Sequence, residues 1–120
     1  MLDHVAIYVR DINAAKAFYL KALEPLGYEV FSEIDGHVGL QAGGHPDFWL
    51  HQRAEASGPI HIAFRTDRMA VDAFHAAAIA AGGRDNGPPG LRPHYHEHYY
   101  GAFVLDPDGN NIEAVCHQPT

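Results

Sequence analysis

The sequence is poor in cysteine, in cationic side chains and in long hydrophobic runs. Its single cysteine, Cys116, cannot form an internal disulfide, which is typical of proteins from a reducing compartment. Only 8 lysine and arginine residues stand against 15 acidic ones, and the resulting net charge of −7 argues against a nucleic acid partner. No hydrophobic run is long enough to cross a bilayer, which argues against a membrane protein.

The first residues also lack a targeting signal. The segment MLDHVAIYVRD has neither the basic region nor the cleavage site of a secretory signal peptide. Together with the single cysteine, this predicts a cytoplasmic protein. A length of 120 residues, of which 47% are hydrophobic, suits one globular domain over 1–120 with a sizeable core.

Two segments of the chain resemble each other, and each carries a histidine at the corresponding place. The first begins LDHVAIYVRD at Leu2, and the second begins IHIAFRTDRM at Ile60. Their spacing is about half the chain, so the sequence predicts a duplicated module. The equivalent pairs, with a shift of one residue after the first strand, are His4 and His61, Ala6 and Ala63, Ile7 and Phe64, Asp11 and Asp67, Ala17 and Ala73, Phe18 and Phe74, Ala22 and Ala78, Leu23 and Ile79, and Gly27 and Gly83.

The first module, about 1–53, is predicted to contain a strand, a helix and three further strands. Residues 2–9 alternate between two faces, as in a strand. Asp11 can cap the helix, and Gly27 can supply the left-handed residue that ends it. The further strands are expected at 28–32, 36–41 and 48–52.

The second module, about 59–118, repeats this order after the joining segment Ala54–Pro59. A strand begins at Ile60, and a helix follows from about Met69 to Ala81. A long stretch, DNGPPGLRPHYHEHYYG, then separates the helix from the last two strands. These strands are expected at 102–105 and 112–116, joined by the tight turn that Asp-Pro-Asp-Gly-Asn favours.

A carboxylate and two histidines are candidates for a metal site. Glu113 lies on the last strand between apolar residues that point the opposite way, and such a carboxylate needs water, a partner or a metal. If pseudo-symmetry places the two first strands side by side, His4 and His61 can converge with Glu113. Two imidazoles and one carboxylate suit Fe(II), Mn(II), Ni(II) or Zn(II). Taken singly, each residue is more often an ordinary hydrogen-bonded or solvated side chain.

The chain resembles the vicinal oxygen chelate superfamily, which includes glyoxalase I, bleomycin-resistance proteins, fosfomycin-resistance enzymes and extradiol dioxygenases. The resemblance covers the whole chain and rests on LDHVAIYVRD–AAKAFY, HIAF–AVDAF and, most specifically, FVLDPDGNNIEAV. It implies an α+β fold in which two pseudo-symmetric βαβββ modules form an open, cup-shaped mixed sheet around a metal. It also implies ligands from the first and last strand of each module, which correspond to His4, His61 and Glu113.

The fourth ligand position departs from the family pattern. Aligning PDFWL with NNIEA places Trp49 opposite Glu113, where glyoxalase I and methylmalonyl-CoA epimerase have Glu or Gln. Because tryptophan cannot bind a metal, the chain is more similar to members with three ligands. Trp49 is then expected to form the wall of the cavity and to contact substrate. His51 shares its face and is an alternative ligand.

The segment from Leu91 to Tyr100 is the other concentration of functional groups, and it resembles an insertion before the seventh strand. Arg92 offers a cation for an anionic substrate, His96 an imidazole for proton transfer, and Tyr100 a phenol for substrate binding or proton transfer. We expect this loop to border the open side of the metal cup. The alternative is a polar surface loop whose histidines bind metal adventitiously.

These features favour a metal-dependent enzyme of the glyoxalase or dioxygenase type, a lyase or a dioxygenase, with one divalent ion (Zn, Ni, Mn or Fe). Its small substrate would chelate the metal through oxygen atoms, and Glu113, His96 or Tyr100 would move a proton. The alternatives are a metal-free binding protein of the bleomycin-resistance kind and a thiol transferase of the fosfomycin-resistance kind. We also expect a homodimer, because open sheet edges tend to be covered by another chain.

Overall fold

The computed structural model describes residues 1–120 and contains the module β-α-β-β-β twice. A single 3₁₀ turn, Glu24–Leu26, follows the first helix. The elements in chain order are β1 Val5–Val9, α1 Ile12–Leu23, β2 Glu29–Ile34, β3 His37–Ala42, β4 His45–Gln52, β5 His61–Arg65, α2 Arg68–Ala80, β6 Arg84–Leu91, β7 Tyr100–Leu105 and β8 Asn111–Cys116.

Each module forms its own four-stranded mixed sheet. Sheet A has the strand order β1-β4-β3-β2, and sheet B has the order β5-β8-β7-β6. The first strand of each module pairs in parallel with the last, and the other neighbours are antiparallel. The predicted α+β fold of two pseudo-symmetric modules is therefore confirmed, with two open sheets whose edge strands β1 and β5 do not pair with each other.

The helices begin and end where their local sequence dictates. The side chain of Asp11 accepts hydrogen bonds from the backbone N–H groups of Asn13 and Ala14, and Asp67 caps α2 in the same way. After the 3₁₀ turn, Gly27 has φ = +87°, so the chain can reverse without a steric penalty. Neither helix is long and apolar enough to cross a membrane.

One continuous core joins the two modules and leaves the other face of each sheet free. Buried side chains of both helices and both sheets belong to a single cluster. At Gly83, just after α2, an added Cβ would lie 2.8 Å from Phe18 of α1 and 2.5 Å from Val104 of β7. The two modules therefore pack so closely at this point that only glycine fits.

Strand β6 differs from the sequence-based expectation, which treated the stretch from Asp85 onwards as one long connection. Residues 84–91 form a strand although Pro88 and Pro89 lie within it. Proline has no N–H to donate, but β6 is the edge of sheet B, and its pairing with β7 shifts register on both sides of Gly87. Only residues 92–99 remain as a loop.

A buried hydrogen bond ties α1 to the turn between β7 and β8. The hydroxyl of Tyr19, which is fully buried, donates to Asp106. The same carboxylate accepts from the backbone N–H groups of Asp108 at 2.9 Å and Asn110 at 2.8 Å, so it also shapes the predicted turn. Burial, followed by the charge of Asp106, raises the pKa of Tyr19 well above its ordinary value, so the phenol remains a donor.

We predict that Tyr19→Phe lowers the free energy of unfolding by about 1–3 kcal/mol, because it removes a donor from a buried carboxylate. Urea denaturation measures this change. The control is Tyr95→Phe, since Tyr95 is 58% exposed; this change should cost less than about 0.5 kcal/mol. Equal effects of the two substitutions would show that the buried bond does not stabilise the fold.

Candidate functional site

Glu113 lies at the centre of the free face of sheet B. In the sheet register it is opposite Ala63 on β5 and Phe103 on β7. His61 is two residues before Ala63 and therefore shares this face, while Ile62 points into the core. Glu113 is only 1% exposed, so its carboxylate depends on neighbouring side chains for polar contacts.

His61 and Glu113 face each other through one ring nitrogen and one carboxylate oxygen. His61 Nε2 lies 2.9 Å from Glu113 Oε1, and His61 Nδ1 lies 3.0 Å from the carbonyl oxygen of Asn111. Because a carbonyl oxygen only accepts, Nδ1 carries the hydrogen, and a neutral His61 then points the Nε2 lone pair at the carboxylate. Two lone pairs at this distance need a proton or a metal ion between them.

The second oxygen of Glu113 is held by Tyr99, a residue that sequence analysis did not single out. The Tyr99 hydroxyl donates to Glu113 Oε2. Burial, followed by the hydrogen bond and charge of Glu113, raises the pKa of Tyr99, so the phenol stays protonated at neutral pH. Gly101 leaves room for this contact, since an added Cβ would lie 3.2 Å from Oε2.

Strand alternation identifies Tyr99 instead of its neighbour Tyr100. Phe103 is opposite Glu113. Counting back in steps of two gives Gly101 and then Tyr99, the residue just before β7. Tyr100 points to the other side, where its hydroxyl donates to Asp72 of α2 at 2.6 Å. Tyr100 therefore lies on the helix side of sheet B and does not contact Glu113.

The other two residues predicted from this loop also have partners of their own. His96 Nδ1 lies 2.7 Å from the carbonyl oxygen of Glu97, and its ring centre is 5.7 Å from that of His117. Arg92 donates to three backbone carbonyls, which belong to Pro88, Gly90 and Gly101. Arg92 thus closes the base of the loop, with its guanidinium carbon 5.0 Å from the Phe103 ring centre.

The predicted ligand His4 lies just before β1, the edge strand of the other sheet. His4 Nδ1 is 2.7 Å from Asp3 Oδ1, and the His4 side chain is 55% exposed. No group of three histidine, cysteine, aspartate or glutamate side chains within the chain is arranged to hold a metal ion. His4 and His61 do line the same cleft of about 840 Å³, which separates the edge strands β1 and β5.

Trp49 occupies the free face of sheet A. It pairs with Ala6 of β1 and Gly39 of β3, so it shares a face with His4, Tyr8 and His51. The indole ring lies against Gly39, where an added Cβ would be 2.7 Å from two ring carbons. The position that corresponds to Glu113 in the first module therefore holds a half-buried aromatic ring.

This duplicated architecture matches a known family. The sequence profile described as "Glyoxalase/Bleomycin resistance protein/Dioxygenase superfamily" matches residues 1–114. The chain belongs to this superfamily. No curated protein matches the sequence of this glyoxalase-superfamily chain.

Several solved structures resemble this superfamily member over nearly its whole length. A glyoxalase/bleomycin resistance protein from Albidiferax ferrireducens T118 is 29% identical with a TM-score of 0.84, covering 98% of this chain and 99% of that one. A glyoxalase/bleomycin resistance protein/dioxygenase family enzyme from Burkholderia phytofirmans PsJN is 26% identical with a TM-score of 0.76, covering 97% and 98%. An integron cassette protein from V. cholerae is 28% identical with a TM-score of 0.71, covering 98% and 95%.

The residues present provide two donors that suit a divalent metal. An imidazole nitrogen and a carboxylate oxygen already face each other, and the Asn111 carbonyl sets the tautomer that leaves Nε2 free. Such a hydrogen bond behind a ligand histidine is the usual arrangement at metal sites. We call His61 and Glu113 the half-site, because a catalytic site needs a third protein ligand.

We predict that Tyr99→Phe destabilises the metal-free protein by about 1–3 kcal/mol, because a buried carboxylate oxygen loses its donor. Thermal or urea unfolding measures the change. Tyr100→Phe is the matched control: its hydroxyl meets the exposed Asp72, so the loss should be below about 1 kcal/mol. A larger loss for Tyr100→Phe than for Tyr99→Phe would contradict this assignment.

Proposed function

We propose that this protein is a metal-dependent enzyme of the glyoxalase or dioxygenase type, which acts on a small substrate that chelates the metal through oxygen atoms. The observation that supports this most strongly is the half-site. His61 Nε2 and Glu113 Oε1 are 2.9 Å apart while Nδ1 is engaged by a carbonyl. A divalent cation satisfies both lone pairs, and imidazole with carboxylate suits Zn, Ni, Mn or Fe.

The third ligand in this proposal is His4 of a second copy of the chain. His4 is the repeat equivalent of His61, is exposed, and precedes an edge strand with a free side. The edge strand β5 beside His61 is also free, and edge strands tend to pair with another chain. A two-fold homodimer would join each His4 to the half-site of the other copy and make two equivalent sites.

The side chains around the half-site have distinct roles in this proposal. A bound divalent ion would supply positive charge that polarises the substrate oxygens. Tyr99 holds Oε2 of Glu113, so that Oε1 faces His61. The Phe103 ring lies beside His61, with 6.1 Å between ring centres and 27° between ring planes, and gives the half-site an apolar side.

Proton transfer is assigned to Glu113, and Tyr99 is the donor that holds its carboxylate. These two groups share a hydrogen bond on the free face of sheet B. His96 and Tyr100, the other residues predicted for this role, form their hydrogen bonds with Glu97 and Asp72. A general acid or base has to lie within hydrogen-bond reach of the reacting group, which favours Glu113, at the half-site, over both.

A metal-free binding protein is the second candidate, because a single chain offers no three-donor group. In that case a proton would replace the metal, and protonated His61 would form an ion pair with Glu113. A thiol transferase that binds an anionic substrate is less well supported. It needs free cations, and Arg92 already donates to three carbonyls.

We predict that protein purified without an affinity tag binds one divalent ion per chain, measured by elemental analysis and isothermal titration calorimetry. His61→Ala, Glu113→Ala and His4→Ala should each weaken binding by more than about 100-fold, since mutating even outer-shell partners costs about 10–100-fold. His75→Ala is the control, because His75 lies on α2, on the helix side of sheet B, and pairs with Asp85 at 2.9 Å. Wild-type protein that takes up no metal would favour the metal-free binding protein.

Mixing two inactive variants tests whether His4 comes from the second copy. In a mixed dimer of His4→Ala and Glu113→Ala chains, a shared site leaves one of two sites intact, so up to half of the metal binding per mixed dimer returns. If all three ligands came from one chain, across the cleft between β1 and β5, each site would carry one substitution and nothing would return. That second outcome would contradict the shared site.

A further inference from the structure

An uncovered row of rings crosses the free face of sheet A. We call Phe31, Trp49, His51 and Tyr8 the aromatic strip. Successive ring centres are 6.5, 6.3 and 6.4 Å apart, and the strip extends from β2 through β4 to β1. Phe31 is 51% exposed and Tyr8 is 45% exposed. Contiguous exposed aromatic surface of this kind typically marks a binding site.

The two central rings of the strip are held flat and nearly parallel. Trp49 lies against the backbone of Gly39, where even a methyl group would come within 2.7 Å of the ring. The plane of the His51 ring is at 19° to that of Trp49, with 6.3 Å between ring centres. Its Nδ1 is 2.6 Å from His37 Nδ1, so one imidazole donates to the other and fixes the orientation of both. The result is a rigid platform for another flat ring.

The platform is uncharged at neutral pH, and a cation lies at one end. Burial, followed by the nearby His37 and Arg53, lowers the pKa of His51, so its imidazole is neutral at pH 7. Arg53 lies over Tyr8, with 4.9 Å from its guanidinium carbon to the ring centre. It donates to the carbonyl of Gln52 and belongs to none of the ion pairs of the chain. Although the protein as a whole is acidic, this free guanidinium offers a local positive charge to an anion.

We propose that the aromatic strip is a stacking subsite for planar aromatic carboxylates, with the ring on Trp49 and His51 and the carboxylate directed to Arg53. The size and planarity of the platform select a flat conjugated ring, and Arg53 selects the anion. The strip adjoins the proposed metal ligand, since Trp49 pairs with Ala6, which shares a face with His4. The subsite therefore rests on the proposed function, and it names the class of substrate that the enzyme would take.

The test compares three probes of matched size. 2-Naphthoate is flat and anionic, decalin-2-carboxylate is saturated and anionic, and 2-naphthalenemethanol is flat and neutral. Binding is measured by calorimetry and by the indole N–H resonance of the single tryptophan, which reports on Trp49 alone. We expect saturable binding of 2-naphthoate with a shift of that resonance. The saturated acid should bind about tenfold more weakly, because it loses aromatic stacking. The alcohol should bind about threefold more weakly, because it loses an exposed ion pair.

Substitutions then locate the subsite. Trp49→Ala should weaken 2-naphthoate binding about tenfold, and Arg53→Ala about threefold. Gly39→Ala keeps the tryptophan but displaces its ring, so it should weaken binding without unfolding the protein, as checked by circular dichroism. Tyr95→Ala removes an exposed ring from the 92–99 loop and should leave binding unchanged.

The outcomes separate this subsite from the proposed metal site. Binding of 2-naphthoate by a Glu113→Ala protein would support the subsite even if the metal proposal failed. Equal affinity for the saturated acid, or equal losses for Trp49→Ala and Tyr95→Ala, would overturn it. If Trp49→Ala instead dissociated a dimer, and the wild type bound no 2-naphthoate, the strip would be a subunit interface and the subsite would be wrong.

Discussion

The contact between His61 and Glu113 is the constraint on which the free face of sheet B depends. A carboxylate with 1% exposure costs several kcal/mol to bury unless charge and hydrogen bonds compensate it. His61 and Tyr99 supply one contact to each oxygen. The surrounding positions leave space for them: Gly101 lies beneath the carboxylate on β7, and Ala63 is opposite on β5. Larger side chains at these positions would displace the carboxylate or its partners.

The two modules share their topology but differ at the positions that matter for chemistry. His4 and His61 are repeat equivalents, as are Trp49 and Glu113 by strand position. The second module therefore keeps an imidazole and a carboxylate together, whereas the first combines an exposed imidazole with an aromatic platform. In the proposed function, the second module would hold the metal, and the first would contribute one ligand and the surface on which a substrate ring lies.

Much of the fold could be predicted from the sequence, because local signals and the repeat agree. Asp11 and Gly27 mark the ends of the first helical segment as expected, and the alternation around His61 gives the correct face of β5. Strand β6 was missed because Pro88 and Pro89 are rare in strands and are tolerated here only at a sheet edge. Tyr99 and its neighbour Tyr100 point to opposite faces, and which of them faces Glu113 depends on the register between β7 and β8, which only the structure gives.

The relative position of the two free sheet faces could not be derived from the sequence. The repeat indicates that His4 and His61 are equivalent, but it does not say whether they meet within one chain or between two. In the single chain they line one cleft without forming a three-donor group. That outcome depends on how the modules pack through their shared core, which involves long-range contacts such as that of Gly83 with Phe18.

Anomalous diffraction from crystals grown with Mn²⁺ would show whether His61 and Glu113 bind a metal, because it locates the ion without reference to activity. We expect one strong peak per chain at about 2.0–2.4 Å from both His61 Nε2 and Glu113 Oε1, which is coordination distance for a divalent ion. His4 of a second copy should complete the coordination. A peak confined to the histidines of the 92–99 loop, or no peak beside Glu113, would contradict the proposed metal site.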